Sequence, residues 1–162
     1  MATTSLKGWH PGEVIVQRKL GFADAVSDRW ALVSNLMREQ HRIFHTSNLP
    51  LIPITTIDED GRPWASIVTG AKGEIGFVRS PDPNTLVINT RLWDGEPLAA
   101  TLKAWKDQSD QRAQNSDRFL TAGLGIEFPT RRRNKFAGWI NGVKQITDLD
   151  YELDLKVIEA LG

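Results

Sequence analysis

The sequence predicts a mainly β (α+β) fold: an antiparallel β-barrel of six to seven short strands with two to three peripheral helices. Apolar and polar residues alternate with a period of two in most runs from residue 49 onward. Clusters of Gly, Pro, Asn and Asp separate these runs. Helical spacing is confined mainly to the first 45 residues and to residues 94–106. Strands in this proportion to helices favour a small barrel with helical attachments.

The composition is that of one globular domain, predicted over residues 1–162. Hydrophobic residues make up 40% and charged residues 25%, which are globular values. The 20 basic and 20 acidic residues cancel, so the long-range attraction of a general nucleic-acid or anionic-membrane binder is absent. The absence of cysteine excludes thiolate chemistry and favours a reducing compartment. With no secretory or membrane-spanning apolar run, we expect a cytoplasmic protein.

Two helices are predicted before the first strand. Pro11 suits the first helical position and Glu13 complements the dipole, so a short helix should run from Pro11 to about Leu20. A longer helix is predicted over residues 26–45, because apolar residues recur there at helical spacing.

Residues 49–70 predict a hairpin with a turn at Gly61. Because Pro50 and Pro53 cannot donate to a ladder, the first arm should be an edge strand or begin after Pro53. Two short strands follow around the turn at 80–84, then a helix over 94–106 with Pro97 in its first turn. The polar stretch 107–118 is expected to be a flexible loop.

The last three strands contain the basic run 131–135, which could be read as a nucleic-acid patch. With a hairpin turn at Asn141-Gly142, this run should lie opposite acidic residues and be neutralised. The expected cross-strand partners of Arg131, Arg133 and Lys135 are Glu152, Asp150 and Asp148. The alternative is that one arginine stays free for a phosphate, and we take Arg133 as that candidate.

The histidines give little support to side-chain catalysis. His10 and Glu13 share a helix face, but helix initiation explains them better than a metal or acid–base role. His41 and His45 have the spacing of a zinc pair, yet Arg42 stands where a zincin has glutamate, so surface histidines at a helix end are expected. No metal site is predicted. Without a triad or nucleophile elbow, a bound cofactor is favoured.

Six segments, taken in order, resemble a known family: "WHPGEVIVQ", "ITTIDEDGRPWASIVTG", "GFVRS", "DGEPL", "LGIEFPTRRRNKFAG" and "VIEALG". The chain resembles the pyridoxamine 5'-phosphate oxidase-like family of flavin-binding split barrels. It is most similar to a poorly characterised group that begins with an aromatic-His-x-Gly-Glu segment. The resemblance spans nearly the whole chain, and "GRPWAS" and "PTRRRNK" are its most specific parts.

The resemblance implies a six-stranded split barrel that forms a homodimer, with FMN, or FAD, in each of two clefts between subunits. It places the second hairpin arm beside the flavin and the end of a later strand near the ribityl chain or phosphate. The implied cofactor-binding residues are Trp64, Ala65, Ser66, Ile67, Val68 and Thr69 on the arm, and Asn89, Thr90 and Arg91 on the later strand. Small residues on the arm fit a strand that must admit a planar ring.

Departures from the family pattern argue against vitamin B6 oxidation itself. Ser66 falls where the true oxidases carry arginine, and Gly95 and Glu96 fall where they carry an Arg-Lys pair. The close group continues beyond the segment ending at Gly162, sometimes into a reductase domain, so a C-terminal truncation is expected. The predicted function is a flavin-dependent oxidoreductase acting on an unidentified small molecule. The alternative is a haem, deazaflavin or other ligand-binding or sensing barrel without catalysis.

Overall fold

The computed structural model describes residues 7–107 and 119–162. In these residues seven antiparallel strands form one curled half-barrel sheet with the order β2-β1-β5-β6-β7-β4-β3, which confirms the predicted mainly β, barrel-like fold. The strands are β1 Leu51–Ile57, β2 Pro63–Thr69, β3 Val78–Arg79, β4 Thr85–Arg91, β5 Leu120–Glu127, β6 Arg132–Gln145 and β7 Asp150–Leu161. The helices are α1 Pro11–Lys19, α2 Glu39–Ser47 and α3 Pro97–Asp107, with 3-10 turns at Asp24–Val26 and Arg29–Leu32.

The core lies on the inner face of the curl, because alternate residues of each strand point there. Ile52 of β1 and Leu155 of β7 are fully buried, and α3 adds Leu98 to the same core. β2 approaches β4 across the curl, although the two strands are not neighbours in the sheet. Among the described residues no helix is long and apolar enough to cross a membrane.

The first helix begins as predicted at Pro11. The Gly12 N–H donates to Nδ1 of His10 at 3.1 Å, and the His10 N–H donates to the Glu13 carboxylate at 3.0 Å. This reciprocal capping box satisfies two otherwise unpaired donors of the first turn. His10 and Glu13 therefore initiate the helix, which is the interpretation that the sequence favoured.

The predicted helix over residues 26–45 is wrong for most of its length, since α2 begins only at Glu39. Backbone hydrogen bonds to residues distant in the sequence prevent a continuous helix. Ser34 and Ala160 exchange N–H to C=O hydrogen bonds at 2.9 and 2.8 Å, and the Met37 N–H donates to the Pro83 carbonyl at 2.9 Å. These donors cannot also serve an i to i−4 ladder.

The hairpin is confirmed, with Gly61 in its turn at φ 77°. The expectation for its first arm is wrong, because β1 begins at Leu51 and lies between β2 and β5. Pairing of β1 with β5 covers Ile54 to Thr56. Pro53 thus stays just outside that ladder, which lets a proline occupy an interior strand.

The predicted turn at Asn141-Gly142 is wrong, and with it the predicted charge pairs. β6 continues to Gln145, and a register shift between Ile140 and Gly142 absorbs Asn141 as a bulge. The turn falls at residues 146–149, closed by the Ile146 N–H donating to the Asp150 carbonyl at 2.8 Å. Lys135 consequently faces Leu161, and Arg133 faces Ile126 of β5.

The predicted helix over 94–106 is observed as α3, which begins at Pro97. Of the predicted flexible loop 107–118, residues 108–118 lie outside the described residues.

Candidate functional site

Strand β2, the centre of the predicted site, is an edge strand of the described sheet. One side pairs with β1 along its whole length, from Pro63 opposite Ile57 to Thr69 opposite Leu51. Its other side pairs with no strand in residues 7–107 and 119–162. Alternate backbone N–H and C=O groups on that side point away from the sheet and have no strand partner there.

The six predicted residues of β2 divide between the two faces of the sheet. Ser66 and Val68 are buried on the inner face, and Thr69 is half-buried at the end of the strand. Ala65 and Ile67 are exposed on the outer face, with Ile67 59% exposed. The strand therefore presents small or apolar side chains outward and one hydroxyl inward.

That hydroxyl is an unusual feature of the core. Ser66 is 5% exposed, and its Oγ has no hydrogen-bond partner among the described residues. A buried hydroxyl is normally paired, since leaving it unpaired costs about 1–3 kcal/mol. An orphaned buried hydroxyl of this kind is one that a ligand or an ordered water can pair.

Trp64 lies at the beginning of β2 and is held by a charged turn. Its indole N–H donates to Oδ2 of Asp58 at 2.8 Å, and Nε of Arg62 donates to the same oxygen at 2.8 Å. Oδ1 of Asp58 accepts the backbone N–H groups of Asp60 and Arg62. The Trp64 hydrogen bond, with the bonds from Arg62, lowers the pKa of Asp58 to about 2. The carboxylate is thus ionised at neutral pH and orients the indole.

A groove of about 730 Å³ opens beside this tryptophan, between the hairpin, α3 and the beginning of β5. Its volume is that of a small-molecule site. Its walls are formed by Ile57, Trp64, Pro97, Ala100, Thr101, Ala104, Phe119 and Leu120. Its rim carries Asp58, Glu59, Asp60 and Arg62.

Asn89, Thr90 and Arg91 are the last three residues of β4. Arg91 is already engaged, because its Nε and Nη2 donate to the two carboxylate oxygens of Asp150, each at 2.9 Å. The pair raises the pKa of Arg91 and lowers that of Asp150. A phosphate at Arg91 would compete with this carboxylate.

Arg133 is exposed at the beginning of β6, far along the sheet from Arg91. β6 reaches Gln145 before it pairs with Tyr151, next to the Asp150 that binds Arg91. At roughly 3.3 Å per residue, the 12 residues from Arg133 to Gln145 span up to about 40 Å along the strand. One protomer therefore does not bring the two predicted arginines together.

Sequence reasoning missed a buried polar centre around α2, where both histidines are buried instead of exposed. His45 is 1% exposed, and its Nε2 lies 2.6 Å from Oδ1 of Asn134. Because the Asn134 amide nitrogen donates to the Leu161 carbonyl at 3.1 Å, its oxygen is the acceptor and His45 carries the Nε2 proton. Burial lowers the pKa of His45 to about 4. The i, i+4 histidine spacing was the available signal, but it did not reveal Asn134.

The fold and the open strand together define a mainly β half-barrel with a ligand-sized groove beside its edge strand. No protein-family model matches the chain, and no curated protein matches it. Among solved structures the chain is similar to an F420 reductase, at 10% sequence identity. The likeness covers 76% of this chain and 98% of that one, with a TM-score of 0.49.

Proposed function

We propose that the chain binds a flavin, FMN or FAD, along β2 and acts as an oxidoreductase in a homodimer. The observation that carries the proposal is the state of β2: its outer edge has no paired strand in the described residues, its outward residue Ala65 is small, and the inward Ser66 hydroxyl is unpaired. The motif resemblance independently assigns the flavin to this arm. A cytoplasmic location remains part of the prediction.

The residues present fit such a group. The free edge of β2 offers backbone donors and acceptors for the polar rim of a planar ring. Ser66 offers a buried hydroxyl that has no partner in the described residues and could pair with a polar atom of the ligand. Trp64, near the beginning of β2, is partly exposed and adds an aromatic ring to the surface of this strand.

A bound flavin would supply reversible electron or hydride transfer, and the chain would supply orientation and charge stabilisation. Backbone N–H groups aimed at an anionic acceptor lower its energy without reorganising during reaction. In the described residues no histidine hydrogen-bonds to β2 to move a proton there: His45 is directed to Asn134, His41 lies beside Gln40 on α2, and His10 caps α1. The chain's own contribution is therefore binding and electrostatics.

A homodimer is supported by the outer face of the sheet. A groove of about 460 Å³ crosses β1, β5, β6 and β7 there, with mainly apolar walls that include Pro53, Leu124 and Ala137. Lys135 and Glu159 add charges of opposite sign to the same groove. A two-fold pair of such faces buries the apolar walls and matches the charges. A partner would also offer its own Arg133, which one protomer cannot bring to Arg91.

The test is the absorbance spectrum of the purified protein, followed by titration with FMN, FAD and haem. We expect flavin uptake, and loss of most of it in Ala65→Phe, which thickens the slender arm. Ala71→Phe, at an exposed position after β2, is the matched control and should bind normally. Absence of flavin uptake by folded wild-type protein would overturn the proposal. A Soret band with haem instead would select the sensing or ligand-carrying alternative.

The homodimer is tested by light scattering of the same protein. Leu124→Glu, which places a charge in the outer groove, should convert dimer to monomer. Ile43→Glu, on an exposed position of α2, should remain dimeric. A monomeric wild-type protein would contradict this part of the proposal.

A further inference from the structure

We propose that the groove between the Trp64 hairpin and α3 binds a small organic cation that carries an apolar or aromatic group. The site has three components: apolar walls, a tryptophan in a defined orientation and a rim of negative charge. The inference does not rest on flavin binding, because Trp64 is the one residue of β2 that lines the groove, and the rest of the lining comes from the end of β1, the β1–β2 turn, α3 and residues 119–120.

The tryptophan provides the recognition surface. Trp64 is 46% exposed and lines the groove while its N–H is bound to Asp58. The indole face is the best cation–π acceptor among side chains, and a carboxylate on the N–H adds negative charge to the ring. Because the hydrogen bond already orients the ring, a ligand need not immobilise it.

The rim determines the sign of the ligand charge. Asp58, Glu59 and Asp60 provide three carboxylates against the single guanidinium of Arg62, a formal net charge of −2 (three negative, one positive). Arg62 pairs with both Asp58 and Asp60, at 2.8 and 2.7 Å, and these pairs are already included in the net charge of −2. The electrostatic potential over the groove therefore favours a cation and disfavours an anion.

The apolar walls of the groove favour a ligand whose charged group is attached to apolar bulk. Pro97, Ala100 and Ala104 lie on one side of α3 and are small, so they leave room for bulk between the helix and the tryptophan. Leu120 on the opposite side is 55% exposed and gains burial when the groove is filled. A quaternary or aryl ammonium compound has both required features, a charge for the rim and apolar surface for the walls.

The experiment uses the full chain as purified and benzyltrimethylammonium as the probe. Its neutral isostere is neopentylbenzene, and phenylpropionate is the anionic comparison. Binding is followed by calorimetry and by the NMR signal of the Trp64 indole N–H, which Trp64→Phe identifies. We expect saturable binding of the cation, roughly tenfold weaker binding of the neutral probe, and none of the anion.

Three variants locate the binding. Trp64→Leu should weaken the cation roughly tenfold while leaving an apolar wall. Glu59→Gln should weaken it about threefold at low salt and by less at high salt. Ala100→Trp should fill the groove and abolish binding, and Ala71→Trp, outside the groove, should leave it unchanged.

Equal affinity for the cation and its neutral isostere would overturn the proposal, as would unchanged binding in both Trp64→Leu and Ala100→Trp with folding intact. Circular dichroism and thermal unfolding of each variant establish that it folds. Flavin titration of the same samples separates the two proposals: protein that takes up flavin but not the cation contradicts only this one, and the reverse contradicts only the flavin site.

Discussion

Two polar contacts of aromatic rings lie toward opposite ends of β5, and they differ in burial. Near its beginning, Thr121 pairs with the Thr56 that faces Trp64, whose bond to Asp58 is exposed to solvent. Near its end, Gly125 pairs with Asn134, whose bond to His45 is sealed in the core. The buried bond ties α2 to β6 and contributes to stability, whereas the exposed bond orients a ring that a ligand can reach.

Of the described titratable groups, His45 should make the free energy of unfolding depend most strongly on pH. His45 has a pKa near 4 in the folded chain and near 6.5 when unfolded, so the unfolded state binds more protons between these values. The free energy of unfolding should fall by about 3 kcal/mol as pH drops from 6.5 to 4. Urea unfolding at half-unit pH intervals measures this slope.

His45→Gln is the matched control, because its amide can still donate to Asn134 but cannot be protonated. The variant should lose most of the slope between pH 6.5 and 4.5. His41, whose pKa burial also lowers, leaves a smaller residual slope. The depressed pKa values of Asp58 and Asp150 act only at lower pH and are common to both proteins. If wild type and His45→Gln show the same pH dependence of the unfolding free energy above pH 4.5, protonation of His45 does not cause it.

We call the part of the sheet around Gly125 and His45 the closed end, and the part around Gly61 and Trp64 the open end. A methyl group added at the closed end should lower the free energy of unfolding more than one added at the open end. A Cβ on Gly125 would lie 2.9 Å from Cε1 of His45 and 2.7 Å from Cδ1 of Leu49. Gly125→Ala should therefore lower the free energy of unfolding by about 2 kcal/mol through overpacking. Chemical denaturation at pH 7 measures it.

Gly61→Ala is the comparison at the open end. Nothing lies within 4 Å of its Cβ, and only the positive φ of 77° opposes the substitution, so about 1 kcal/mol should be lost. If Gly61→Ala lowers the free energy of unfolding as much as Gly125→Ala does, the packing around Gly125 is no less tolerant of a methyl group than the turn at Gly61.

Ser66 should behave unlike His45 although both are buried. Because its Oγ has no partner in the described residues, Ser66→Ala removes an unpaired group and should raise the free energy of unfolding of ligand-free protein by up to about 1 kcal/mol. The same variant should bind flavin more weakly. Thr121→Ser, which retains a bonded hydroxyl in the same sheet, is a control for general repacking. A marked loss of stability in Ser66→Ala would mean that the hydroxyl is paired.

The smallest change in stability is expected at Trp64. Trp64→Phe removes the hydrogen bond to Asp58 from an exposed ring and should alter the free energy of unfolding by less than about 0.5 kcal/mol. Thermal unfolding measures this effect. A loss of unfolding free energy comparable to that of Gly125→Ala would show that Trp64 stabilises the fold, in contrast to the ligand-binding role proposed for it.

The sequence by itself determined the strand content, the hairpin around Gly61 and the beginning of α1. Each of these depends on local chemistry: period-two alternation, a glycine at positive φ, and a cap three residues from its partner. The six residues of β2 were assigned by the resemblance of the motifs to the split-barrel family, and the small Ala65, Ser66 and Thr69 fitted that assignment.

Only the tertiary structure decided which backbone groups hydrogen-bond across long sequence separations and which charged side chains form ion pairs. Ser34 pairs with Ala160, which ended the predicted helix, and the bulge at Asn141 moved the turn that was to set the arginine pairs. Asn134 reaches His45 across 89 positions, and Arg91 reaches Asp150 across 59. Such partners are chosen by register and burial over the whole sheet, where one residue of slip changes every opposing pair, and no local pattern encodes them.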